Sequence, residues 1–389
     1  MFVNIKNTSE MTEIEKREWN SLTPADRKAS FYSSSEWINI INETDSTPQK
    51  IALVYDEQNL LGGIIFDING ESTDSHYNIK SLLTVYNPYY SIKFPKDILQ
   101  DGTIFPSVTI TLRAATSCDF RYREGLDKTR VNQIIDLIIE HLSKLGKSLC
   151  FLYVPKDIQH LRDYLLNNEY WEIPLGARYF IPAMSREEYL NIFNSRKRSK
   201  IKKELDKLTK YNLTISKVDC NDENLKYFIK CLKQNFEKHG FKNFSYDYAY
   251  NRTKKIIEEI GKENVFFHEL RHNGQKVGIS MDFIHDQVLH AYQIGFEYEK
   301  LKKEWSAYFQ LGFYNSIFIS TKFKNIKYIQ IYDGLDEAKI SRGFIPEILY
   351  AYIKKDNHLF NSKSLKILNK TISNKIGQLI KQYSKNIKI

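Results

Sequence analysis

Residues 328–350 read YIQIYDGLDEAKISRGFIPEILY, and the order of residue types in this stretch decides the fold class. A β-rich run ends at Tyr332-Asp333-Gly334, and a short acidic turn carries the single Lys339. Arg342-Gly343-Phe344-Ile345-Pro346 then leads into a second apolar run. Strand, turn, lysine and strand is how an α/β domain delivers one cation to the open end of its sheet. There it can steady charge developing on a carbonyl or resident on a phosphate. The competing reading makes Lys339 and Arg342 surface charges of a connecting loop.

Working outward, the chain uses one arrangement twice. Lys50–Tyr55 and Leu60–Ile68 flank a turn, as do Val265–Leu270 and Lys276–Ile284 around His272-Asn273-Gly274. Asn-Gly between apolar runs signals a hairpin, because both residues accept positive φ. Gly63 and Gly278 are each followed four residues later by an aspartate, Asp67 and Asp282, and a strand glycine marks a bulge or a close backbone approach. After each hairpin come a strand (107–112; 287–294), a helix (128–145; 303–320) and a further strand (149–154; 326–332). This is an α/β unit with a mixed α+β sheet, used twice. A helix near Leu161–Asn168 and a strand at Arg178–Pro182 close the first unit, and Ser185-Arg186-Glu187-Glu188 reads as a capping box opening the next helix. The expected domains are therefore 1–184 and 185–389.

The 389 residues suit two or three domains, and 42% hydrophobic with 27% charged residues describe a globular chain with ample core. A net charge of +10 favours anionic partners such as nucleic acid, nucleotides or a membrane surface. Cys118, Cys150, Cys220 and Cys231 show no metal spacing and no histidine partner, so free thiols and no metal are expected. The charged N-terminus lacks a signal-peptide core, and no run approaches the roughly 18 to 20 apolar residues of a membrane span. A cytoplasmic protein is expected.

Residues 196–208, RKRSKIKKELDKL, crowd Arg196, Lys197, Arg198, Lys200, Lys202 and Lys203 into about two turns, with Ile201, Leu205 and Leu208 as the inward stripe. Like charges at this density repel, and only Glu204 and Asp206 offset them. A basic helix over 196–210 that faces phosphates is favoured over a merely solvated face, because arginines sit among the lysines. The tail 362–389 is basic, without an acidic residue, and has helical periodicity. A packed terminal helix is preferred there, with peripheral membrane or RNA contact as the other reading.

Three stretches resemble tandem GNAT-fold transferases, namely the FemAB-type aminoacyl transferases and the related bacterial family of peptidoglycan biosynthesis or recognition. Ser30–Ile40 (SFYSSSEWINI) is similar to their opening helix, Tyr189–Leu208 to their basic "kRkxIrxE" segment, and Gly334–Pro346 to a lysine followed by R-G-F-x-P. The resemblance spans most of the chain. It implies two GNAT-like domains sharing a cleft, with acyl transfer to an amine. Lys339 falls on the family's lysine, Arg342 on its arginine, and Arg198, Lys202 and Lys203 on its basic segment. Ala338 stands where histidine is common and Gln310 where a glutamate is expected, which allows another acceptor or proton route.

Acyl transfer needs a neutral amine, a carbonyl held beside it, oxyanion donors and a path for protons. In a GNAT-like sheet the reactants meet where the fourth and fifth strands splay. Tyr292, Gln293 and Asp333 are the candidates to orient the amine or take its proton, and Lys339 to stabilise the oxyanion or a donor phosphate. Arg196, Arg198, Lys202, Lys203 and Arg342 are the candidates to bind the donor. His290 reads as a satisfied core or edge histidine rather than a base. Gly295-Phe296-Glu297-Tyr298-Glu299 has one glycine and two acids, poor chemistry for a CoA pyrophosphate. No tightly bound cofactor is expected. The donor is a carrier-linked acyl group, aminoacyl-tRNA before acyl-CoA, and the acceptor a small-molecule, sugar or cell-wall-precursor amine. A non-catalytic binder of anionic ligands is the remaining alternative.

Overall fold

The computed structural model describes residues 1–389 except 72, 85–94, 96, 100–103, 241–242, 332–335, 356–358, 386 and 388–389, and except the side chains of 29, 336 and 383. In chain order the strands begin with β1 (Phe2–Asn7), β2 (Thr23–Pro24), β3 (Lys50–Asp56), β4 (Asn59–Asn69), β5 (Ser107–Ile110), β6 (Phe120–Tyr122) and β7 (Ser148–Pro155). They continue with β8 (Tyr170–Pro182), β9 (Leu213–Val218), β10 (Val265–His272), β11 (Gln275–His285), β12 (Val288–Phe296), β13 (Tyr328–Ile331) and β14 (Ile345–Lys354).

The chain forms two compact units, Met1–Ala177 with Glu347–Leu379, and Arg178–Pro346 with Ile380–Ile389. A single cut near Met184 was expected; instead Glu347–Leu379 belongs with the first unit. The reason is strand pairing. β14 runs antiparallel to β7, with Leu349 opposite Pro155 and Tyr350 opposite Val154. The terminal helix Ser362–Ser384 follows, and Asn369 donates to the Glu172 carbonyl while Lys366 stands over the Trp171 ring.

In the first unit β1, β3, β4 and β5 pair antiparallel in turn, β5 pairs β7 parallel, and β14 returns antiparallel. In the second, β9, β10, β11 and β12 pair antiparallel in turn, β12 pairs β13 parallel, and β8 returns antiparallel. The order and sense are the same, so the duplication read from the sequence is the architecture observed. Val131, Ile134, Ile135, Ile138 and Leu142, the inward stripe of the helix Lys128–Leu142, bury against the first sheet.

The paired strand glycines have a shared cause. A Cβ on Gly63 would stand 2.5 Å from the Ala52 carbonyl oxygen, and one on Gly278 would stand 2.4 Å from the Phe296 ring. Both are close approaches that a side chain would block. At the second hairpin Asn273 and Gly274 have φ of 48° and 81°, as the Asn-Gly signal requires.

Candidate active site

Among the described residues β12 and β13 pair from Val288 opposite Tyr328 to Ala291 opposite Ile331, and β12 continues to Phe296. Beside these strands lies a cleft of about 100 Å³ lined by Ala291, Tyr292, Gln293 and Ile294 of β12 and Ile331 of β13. Ser280 and Asp282 of β11 line it too, with Tyr308, Gly312 and Phe313 of the helical segment above. Two irregularities shape it. Met281 faces Gln293 while Asp282 faces Ala291, so Tyr292 is the extra residue of a β-bulge. Gln310–Tyr314 forms a π-helical turn, which widens the helix beside the bulge. Bulges re-aim side chains and π-turns gather at functional sites.

Tyr292 and Gln293 both line this cleft. Asp333 lies outside the described residues. Lys339 is not among the residues lining this cleft. It sits on a short helix, Asp336–Ile340, rather than in an open turn, is fully buried, and stands 4.6 Å from the Tyr179 ring centroid. Tyr179 of β8 faces Ile331 of β13, so the ring that Lys339 covers neighbours a residue of the cleft wall. The surface-charge reading of Lys339 and Arg342 fails, since both are buried.

Arg342, expected as a donor contact, makes its hydrogen bonds to protein groups. Its Nη2 donates to both oxygens of the Glu204 carboxylate at 3.0 Å, Nε donates to the Tyr314 hydroxyl at 3.2 Å, and Nη1 donates to the Ala338 carbonyl at 3.1 Å. The Tyr314 hydroxyl donates to Glu204 at 2.5 Å, and the guanidinium lies 3.3 Å over the Phe309 ring centroid. Glu204 therefore answers Arg342 rather than only the lysines around it. Gly343 holds φ of 88°, and a Cβ there would lie 2.8 Å from Ile192, which explains glycine after the arginine.

The basic helix spans Ser195–Leu205, capped by Asn194, whose side chain accepts from Lys197 N. Ile201 and Leu205 are buried and Leu208 half-buried, while Arg196, Lys200, Lys202 and Lys203 are exposed to solvent. Arg198 is half-buried and donates to the Phe193 carbonyl, so it is a weaker candidate for an outside phosphate. Burial, with Arg342 nearby, holds the Lys197 ammonium below the usual lysine range.

Asp282, missed as a site residue, is 1% exposed; it accepts from Ser316 Oγ at 2.9 Å and lies 3.2 Å from His268 Nδ1. The Gly-x-x-x-Asp repeat was its only trace in the sequence. His290 is a core histidine, as read. Burial, helped by His285 and Arg178, drives its imidazole well below the ordinary histidine value, so it is neutral near pH 7. Burial pushes the thiols of Cys150 and Cys231 up to about 11 and about 12, which removes them as nucleophiles. Glu297, in the loop where a pyrophosphate would sit, is held by Lys230 and Lys300 at 3.2 and 2.9 Å.

A conserved protein of unknown function from Bacteroides thetaiotaomicron is similar in structure, with a TM-score of 0.56 at 12% identity over 91% of this chain and 100% of that one. FemX is similar with a TM-score of 0.55 at 11% identity, over 95% of this chain and 100% of that one. These likenesses show the shared fold, the tandem GNAT-like arrangement that the sequence led us to expect. A search of curated proteins found no match. Among the described residues no helix is long and apolar enough to cross a membrane. A family profile described as FemAB-like, peptidoglycan biosynthesis/recognition, matches residues 134–386, more than half of the chain. The chain belongs to this FemAB-like family.

Proposed function

We propose that the protein is an N-acyltransferase that moves an aminoacyl group from tRNA to an amine of a peptidoglycan-related precursor. The cleft beside β12 and β13 carries this reading: a β-bulge at Tyr292 and a π-turn at Gln310–Tyr314 flank a slot that presents Ser280, Asp282, Tyr292 and Gln293, with room for a carbonyl and an amine. Tyr292 and Gln293 orient the reacting groups there. Lys339, on the short helix Asp336–Ile340 and over the Tyr179 ring, acts as a buried cation that biases the site toward developing negative charge.

Two observations favour tRNA as the carrier. Arg196, Lys200, Lys202 and Lys203 stand exposed on one short helix and suit a phosphate backbone. The end of β12 and the loop after it offer a CoA pyrophosphate a single glycine, Gly295, in place of a glycine-rich cradle of backbone amides.

The test offers the purified chain a mixed pool of aminoacyl-tRNAs or short-chain acyl-CoAs with an amine-bearing muropeptide, and mass spectrometry reads the product. Amide formation from aminoacyl-tRNA alone is expected. Amide formation from acyl-CoA alone would replace the carrier, and no amide from either would sink the transferase reading.

A further inference from the structure

We infer that the cleft of the second unit holds a primary ammonium group on Asp282 and Ser280, so that one substrate is selected by its positive charge. This rests on the transferase reading and adds to it the chemical class of the molecule that enters the slot.

Among the described residues that line the cleft, Asp282 is the one ionisable acid or base other than tyrosine. It is 1% exposed, so its charge is screened little by water. A carboxylate has about four acceptor positions. Ser316 Oγ takes one on Oδ1 and His268 Nδ1 one on Oδ2, which leaves acceptor capacity on both oxygens. Ser280 lies two residues earlier on β11, hence on the same face of the strand. It is 3% exposed, lines the same cleft, and its hydroxyl has no hydrogen-bond partner. Buried hydroxyls are nearly always satisfied, so an orphan beside a carboxylate in a cavity wall marks the place of an absent partner. That partner must donate to a carboxylate and also reach a hydroxyl. An ammonium, with three donors and a full charge, does both. Tyr308 and Phe313 form aromatic walls, which accept a cation on their faces. A phosphate or carboxylate would meet Asp282 as a like charge, so the anionic part of a donor lies elsewhere.

The experiment uses the full chain and two probes of equal length, n-butylammonium and n-butanol, titrated by calorimetry or ligand-observed NMR. The expected result is that n-butylammonium binds about 10-fold or more tighter than n-butanol, the worth of one charge-assisted hydrogen bond. Asp282→Asn should abolish the preference. Should that variant fail to fold in a thermal melt, Ser280→Ala carries the test; it keeps the carboxylate, and its affinity for n-butylammonium should fall about 3-fold or more. Equal affinity for both probes, undetectable binding of n-butylammonium, or a preference that survives both substitutions would overturn the inference. A preference intact in a protein that makes no amide would retire the transferase reading and keep this one. Amide formation without the preference would do the reverse.

Discussion

Arg342 spends its guanidinium on Glu204, Tyr314 and Ala338, so its removal strands a half-buried carboxylate beside a buried phenol. Breaking a buried pair costs about 3–5 kcal/mol, and the 25% exposure of Glu204 brings the expectation for Arg342→Ala to about 2–3 kcal/mol in denaturant unfolding. A loss under 0.5 kcal/mol would show that the network does not hold the fold. Asp119 gives a second single-residue expectation. Burial, opposed by Arg121, raises its carboxyl from 3.8 to about 6. Between these values the folded chain keeps a proton that the unfolded chain has lost, so this group stabilises the fold below pH 4 and that contribution is lost as pH rises toward 6. Asp119→Asn should flatten that fall by about 1–3 kcal/mol in unfolding at pH 4.5 and 6.5; an unchanged slope would contradict it. At this scale the sequence showed which residues were unusual but not what they touched. Glu204 and Arg342 are 138 residues apart, and no local pattern joins them.

The basic helix was legible as an element, with its inward Ile201 and Leu205 and its exposed lysines, because helical periodicity is local. The irregular elements were not. A β-bulge depends on the register between β11 and β12, and the π-turn at Gln310–Tyr314 depends on what packs beneath it. Lys202→Glu with Lys203→Glu changes two exposed side chains, so stability should hold within about 0.5 kcal/mol. Affinity for tRNA should fall, and the slope of log K against log salt should shrink by about 1.5–2. Filter binding across a salt series reads both numbers; an unaltered slope would remove this helix from the carrier site.

For the molecule as a whole, the repeated order of strands was readable because each hairpin and crossover is written in contiguous sequence. The membership of β14 was not, since its partner β7 lies far back in the chain. The consequence is testable. Residues 1–184 expressed alone lack β14 and the terminal helix and should not unfold cooperatively, whereas a sharp thermal transition in that fragment would restore the domain cut near Met184. The proposed reaction is assigned to the cleft beside β12 and β13, and filling that cleft tests the account most directly. Gln293→Trp places a large ring among its lining residues. Single-turnover transfer from aminoacyl-tRNA should fall about 100-fold or more while tRNA affinity stays the same. Undiminished transfer with the cleft filled would place the chemistry elsewhere and contradict it.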